Sequence, residues 1–235
     1  MAKKYGWKDE NIIKMNLPRW DKYSNIILQN SNDTNKFKTQ SIFLMFTWRF
    51  IKKNKNISKI YLKNIFSLMT NSSLQAALKE YNILLYFTFH RLIIEKYKTN
   101  FESTFSNNYY INYIGQNEIS NCLSKTSLVI SDFSSIIFDF IYRKKPFIMF
   151  IPDANDPEIR NIYYKEYYQL IESLKNGSIY FENKFLDINL TIEKIIYYIK
   201  NNFTVEKNLL DFYDSFELYQ GTNIDKFIKY LLYLK

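Results

Sequence analysis

The chain of 235 residues supplies a single cysteine, Cys122, and a single histidine, His90. One cysteine excludes a disulfide framework, and one cysteine with one histidine excludes a zinc cluster of ordinary spacing. No metal ligand set and no resident cofactor are expected, and any Mg²⁺ would arrive with a phosphate ligand. Four glycines and four prolines are all that interrupt the chain. No apolar run approaches the roughly 18 residues of a membrane span, and the start, MAKKYGWKDENIIK, lacks the apolar stretch of a signal peptide. The expectation is a cytoplasmic protein, at most peripheral on the inner face of the cell membrane.

What is present is charge of one sign and a generous apolar content. The formal net charge is +9 with a pI near 9.3, which favours an anionic partner: nucleic acid, an acidic membrane surface or a phosphate-rich substrate. Hydrophobic residues make up 47% of the chain, enough to bury the core of one domain or one and a half. Short β-rich apolar runs at 42–47, 83–89, 109–114, 127–131 and 146–151 alternate with helix patterns at 73–81, 91–97, 118–123 and 134–142. Amphipathic helices at 191–201 and 223–234 close the chain. This alternation predicts an α/β fold, a Rossmann-like doubly wound parallel sheet covered on both faces.

Ligands of such sheets bind beyond the carboxyl ends of the strands, so the strand ends carry most of the functional expectation. The most informative is LVISDFSSIIFDF at 128–140, where an apolar run meets an Asp-x-Ser-Ser corner and then continues with helical spacing. Ser134 and Ser135 fall at the helix start, where unpaired N–H groups and the positive end of the macrodipole suit a phosphate. The bland alternative is an ordinary helix cap. The first strand ends in Thr47, Trp48 and Arg49, the second in Thr88, Phe89, His90 and Arg91, and Asp139 lies one turn into the helix after Ser135. A lone histidine is often structural, Trp48 reads equally as core, and Asp139 reads alternatively as a solvated helix residue. Arg19, in LPRWDKY at 17–23, reads as a solvated charge beside a turn or as a cation facing the same rim.

In this order the segments resemble the CDP-glycerol:poly(glycerophosphate) glycerophosphotransferases, polymerases of teichoic acid on a glycosyltransferase-B scaffold. Asn16-Leu17-Pro18-Arg19-Trp20-Asp21 resembles the family's Gly-x-Pro-Arg-x-Asp segment, with Asn in place of Gly. Phe46-Thr47-Trp48-Arg49 is similar to its Pro-Thr-Trp/Phe-Arg strand end, and His90-Arg91 to its His-Pro. Ser131 through Asp139, with Lys145 and Pro146, is similar to its Thr-Asp-Tyr-Ser-Ser segment and downstream Lys-Pro. The likeness runs over roughly residues 5–233 and corresponds to the family's C-terminal, donor-binding half. The other half, with the His-Gly motif proposed as acceptor base, has no counterpart here.

The resemblance implies a glycosyltransferase-B C-terminal domain that binds CDP-glycerol and passes glycerol phosphate to a teichoic-acid-type polyol phosphate acceptor. It implies Ser134 and Ser135 around the pyrophosphate, His90 as the catalytic group and Arg19 beside it on the departing CMP, and Asp139 on a donor hydroxyl. Thr47, Trp48, Arg49, Thr88 and Phe89 would line the cleft. Residues 1–22 would form an interdomain segment, 23–205 the nucleotide-binding domain, and 206–235 C-terminal helices packing back across the cleft. Expected partners are an N-terminal-half protein and, facing Lys52, Lys53, Lys55, Lys59 and Lys63, an anionic membrane surface or the polyanionic polymer, the bland alternative being a solvated charge run. Nucleic acid is not expected, because the aromatics follow strand and helix periods. The segment from Asp153 to Leu174 reads as a cover over the cleft or as a plain loop and helix. The alternatives are a non-catalytic donor-binding module or remnant, and a related nucleotide-sugar transferase domain.

Overall fold

The fold is taken from a computed structural model, which describes residues 16–21, 40–47, 49, 59–159, 184–214 and 223–233. Elements run in chain order as β1 (Ser41–Phe46), α1 (Lys59–Thr70), α2 (Ser72–Glu80), β2 (Leu84–Phe89), α3 (Arg91–Phe105), β3 (Ile111–Tyr113) and α4 (Ile119–Lys125). They continue as β4 (Leu128–Ser131), α5 (Ile136–Tyr142), β5 (Phe147–Phe150), β6 (Lys184–Phe185), α6 (Ile188–Lys200), α7 (Lys207–Asp214) and α8 (Asn223–Tyr233). Three-residue 3₁₀ turns at Pro18–Trp20 and Gln116–Glu118 and one helical turn at Pro157–Ile159 complete the described elements.

The strands form one six-stranded sheet in the order β3-β2-β1-β4-β5-β6, with every neighbouring pair parallel. Central strands read as continuous apolar runs because both faces are covered. Alternation along each strand sends Ile42, Leu44, Phe46, Leu85, Phe87, Phe89, Leu128, Ile130, Ile148 and Phe150 to one face, under α1, α2, α3 and α6. Phe43, Val129, Phe147 and Met149 point to the other, where α5 and α7 meet them through Ile137, Phe140, Ile141, Leu209, Phe212 and Tyr213. Two helix starts are fixed locally. Asn71 accepts from the N–H groups of Ser73 and Leu74 at α2, and Asp187 from those of Asn189 and Leu190 at α6.

The five strand readings hold to within two residues, and the sheet is doubly wound. Helix α3 runs to Phe105, well past residue 97, because Phe101 and Phe105 continue its apolar side into the core. Helix α1 and strand β6 were not anticipated, and α7 falls within the segment 206–235 expected to be helical. In α1 the lysines that read as a basic run alternate with Tyr61, Leu62, Ile65, Leu68 and Met69, which are buried. Trp48, Lys52, Lys53, Lys55 and residues 160–174 of the expected cover lie outside the described residues. No described helix is long and apolar enough to cross a membrane.

Candidate functional site

The order of crossovers reverses between β1 and β4, and the crevice beyond their carboxyl ends is where such sheets bind ligands. Its floor is an ionic clamp. Asp132, directly after β4, accepts from the Thr47 N–H and the Thr47 hydroxyl, each at 2.9 Å, and from the Tyr61 hydroxyl at 2.9 Å. Arg49 places Nη1 2.7 Å from Asp132 Oδ2 and reaches Asp153, after β5, with Nε at 2.8 Å and Nη2 at 3.1 Å. Its guanidinium also donates to the Thr47 hydroxyl at 2.7 Å and lies 4.2 Å from the Tyr61 ring centroid. Both the Arg49 and Asp132 side chains are 0% exposed.

Burial opposes the Arg49 charge, yet Asp132, Tyr61 and Asp153 outweigh it and raise the guanidinium above its ordinary value. Burial, reinforced by Asp132, pushes the Tyr61 phenol well above 10.0, so it stays a donor. Arg49 was expected to line the cleft. It is buried and its donors are held by Asp132, Asp153 and Thr47, so it fixes the ends of β1, β4 and β5 from beneath. Thr47 is likewise engaged on Asp132. Asp153, Tyr61 and the clamp role of Asp132 were not read from the sequence. The visible signal was an Asp shortly after each of two apolar strands; nothing local marks the Tyr61 hydroxyl, which meets Asp132 across 71 positions.

Immediately after Asp132 the chain enters α5 through Ser134 and Ser135. Ser135 holds the cap position, but its side chain makes no cap hydrogen bond and the residue is exposed. Ser134 is buried and its Oγ accepts, at 3.4 Å, from the Ile136 N–H. Ser135 thus caps the helix by position and without a side-chain hydrogen bond. Across the crevice, His90 is exposed between β2 and α3, and its carbonyl accepts from the N–H groups of Ile93 and Ile94. The ends of β2 and β4 flank β1, so their two rims stand ~10 Å apart by strand spacing.

Two of the expected cleft residues point inward. Phe89 is core, stacked 4.7 Å from Phe101 and 6.4 Å from Phe46, because odd positions of β2 face the α1–α3 layer. Thr88 is buried on the opposite face, and its hydroxyl has no hydrogen-bond partner among the described residues.

Arg19 and Asp139 meet each other. Arg19 Nε donates to Asp139 Oδ1 at 2.9 Å, and the Trp20 indole N–H donates to the same carboxylate oxygen. Trp20 also stacks 4.6 Å from Tyr142 of the same helix, α5. Asp139 was expected to accept from a ligand hydroxyl or to be solvated. Its side chain is 5% exposed and holds these two donors, whereas that of Arg19 is 42% exposed above it. Asp21, next in sequence, accepts from the backbone N–H groups of Asn223 and Ile224 and so caps α8. The 16–21 segment is thus a strap between α5 and α8.

The comparisons with known proteins fit this architecture. The family model of CDP-Glycerol:Poly(glycerophosphate) glycerophosphotransferase matches residues 1–224. The minor teichoic acid biosynthesis protein GgaB of Bacillus subtilis (strain 168) is 26% identical over 233 residues, 93% of this chain and 23% of that protein. The teichoic acid ribitol-phosphate polymerase TarK of Staphylococcus aureus (strain NCTC 8325 / PS 47) is 25% identical over 183 residues, 76% of this chain and 34% of that protein. Among solved structures, the wall teichoic acid polymerase TagF superimposes with a TM-score of 0.59 at 19% identity, over 97% of this chain and 53% of that one. The Methanocaldococcus jannaschii UDP-GlcNAc 2-epimerase, in complex with UDP-GlcNAc and UDP, does so with 0.52 at 16% identity, over 98% of this chain and 57% of that one. The fold is that of a glycosyltransferase-B C-terminal domain, and the chain spans about half the length of these solved relatives and less of the curated ones. With its model matched from residue 1 to 224, the chain belongs to the CDP-glycerol:poly(glycerophosphate) glycerophosphotransferase family.

Proposed function

We propose that this chain is the donor-binding half of a teichoic-acid glycerophosphotransferase and that its donor is CDP-glycerol. The observation that carries the reading is the family match together with the gathering of His90, Ser134 and Ser135 around the switch point of the sheet. In the reaction an acceptor hydroxyl oxygen forms a bond to the glycerol-bearing phosphorus as the bond from that phosphorus to the CMP oxygen breaks. The acceptor proton goes to a base outside this half, and CMP leaves with added negative charge. Ser134 and Ser135 serve the pyrophosphate with hydroxyl and backbone donors, and His90 donates to the departing CMP. Arg19, held at Nε by Asp139, turns its remaining donors toward the same charge. Asp139 acts through Arg19, and Arg49 and Thr47 act by fixing the crevice floor.

A second donor is favoured by one relative, since TarK is named a ribitol-phosphate polymerase. The test is calorimetric titration of the purified chain with CDP-glycerol, CDP-ribitol and UDP-GlcNAc. CDP-glycerol binding that falls at least about tenfold in His90→Ala and in Ser135→Ala is the expected result, the size of one or two charge-assisted hydrogen bonds. A folded chain that binds none of the three, or binding that neither variant alters, overturns the reading. Tighter binding of CDP-ribitol would reassign the donor.

A further inference from the structure

The parallel strands turn their carboxyl ends to one rim, and the loop after β3 stands on it well away from the Ser134–Ser135 corner. β4, β1, β2 and β3 are successive neighbours, so ~14 Å separates the two ends by strand spacing, a span that an extended nucleotide covers. His90, at the end of β2, lies between them. The 3₁₀ turn Gln116–Glu118 follows β3, and the exposed Gln116 donates from Nε2 to the Phe89 carbonyl at 3.1 Å, one residue before His90. The turn that carries it is fixed. The Ile114 N–H donates to the Phe87 carbonyl at 3.0 Å, the Gly115 N–H to the Glu118 carboxylate at 2.9 Å, and the Glu118 N–H to the Gly115 carbonyl at 3.0 Å.

The bond to Phe89 assigns the two ends of the Gln116 amide. A carbonyl oxygen only accepts, so the NH₂ group must face Phe89 and the oxygen Oε1 is left as an outward acceptor on the rim. Oε1 has no hydrogen-bond partner among the described residues.

We infer that Gln116 reads the nucleobase of the donor and selects cytosine over uracil. The inference rests on the donor reading of the crevice, with the pyrophosphate at Ser134 and Ser135 and the base carried toward β3. That direction follows from what each side offers. Toward β5, Asp132, Arg49 and Asp153 are buried and bound to one another, whereas toward β3 both His90 and Gln116 are exposed. Cytosine presents an exocyclic amine where uracil presents a carbonyl oxygen. Oε1 of Gln116 accepts from the amine and repels the carbonyl. Turning the amide over to suit uracil would set Oε1 against the Phe89 carbonyl, two acceptors with no proton between them. The anchor thus restricts an amide able to serve either base to the one that donates. Gln116 determines specificity and takes no part in bond making or breaking.

Calorimetric titration with CDP and UDP, which differ in the base alone, tests this on the wild type, Gln116→Ala, Gln116→Asn and His90→Ala. The wild type is expected to bind CDP about tenfold more tightly than UDP. Gln116→Ala should bring the two within about threefold of each other, through weaker CDP binding, at a melting temperature near that of the wild type because the side chain is exposed. Gln116→Asn keeps the amide but is one methylene shorter, which withdraws it from the Phe89 carbonyl, and should lose the preference as well. His90→Ala should weaken both nucleotides and keep their ratio. Equal binding of CDP and UDP by the wild type overturns the inference, as does a ratio retained in either Gln116 variant, and in both cases the donor reading stands. Failure of the folded wild type to bind either nucleotide overturns the donor reading and this inference with it.

Discussion

Removing the Arg49 guanidinium would leave two buried carboxylates, Asp132 and Asp153, without the cation between them. Uncompensated buried charge costs about 3–5 kcal/mol, so Arg49→Met is expected to lose that much in urea unfolding. Arg49→Lys should not restore it, because an ammonium lacks the fork that reaches both carboxylates. Tyr61→Phe keeps the ring below the guanidinium and deletes a donor shared between Asp132 and the Thr47 carbonyl, at a cost of about 1–3 kcal/mol. Wild-type stability in Arg49→Met would show that the clamp contributes nothing. The polar residues of this rim stood out in the sequence because they interrupt apolar runs at strand ends. Their division into groups that face the crevice and groups that hold it did not, because Arg49 and His90 are equally polar on paper and opposite in burial.

Among the elements, α8 depends on a residue two hundred positions away. Asp21 supplies the acceptor that a local cap residue would supply to its first turn, while Ile224 within that turn and Phe227, Ile228, Leu231 and Leu232 after it remain exposed. Asp21→Ala is expected to cost about 1 kcal/mol, the worth of a lost helix cap. Burial alone would raise the Asp21 carboxyl, but the hydrogen bonds from Ile224 and Asn223 prevail and hold it below its ordinary 3.8. A lowered folded value means this stabilisation is present above pH 3.8 and is lost as pH falls through the folded value. Unfolding midpoints of wild type and Asp21→Ala should therefore converge as pH is lowered beneath 3.8, and a constant gap would refute the linkage. The strands and α5 were legible because their apolar periods are undiluted. Helix α1 was not, because Lys59 and Lys63 read as part of a basic run, and β6 has two residues and no period to read.

For the whole molecule, the alkaline limit follows from its buried tyrosines. Burial pushes Tyr61 and Tyr213 well above 10.0 and raises Tyr86 and Tyr113 as well. The unfolded chain releases these protons near pH 10 while the folded one retains them. Stability is thus full below pH 10 and falls as pH rises toward the folded values. Melting temperatures measured from pH 8 to 11 should drop above about pH 10, with a shallower fall in Tyr61→Phe. An equal slope in the variant would remove Tyr61 from the account. The acceptor base belongs, on the proposed reading, to sequence outside this chain, which spans about half of each solved relative. On that reading, donor affinity is the property to measure first.

The sequence by itself determined the parallel α/β sheet, the corner at Asp132–Ser135 and the family, since these rest on local periods and on residues close together in the chain. Tertiary structure alone decided that Arg19 binds Asp139 and that Arg49 bridges Asp132 and Asp153. The physical reason is that pairing and burial depend on which strands become neighbours. Arg19 and Asp139 are 120 positions apart, and only the folded strap brings the guanidinium within 2.9 Å of the carboxylate.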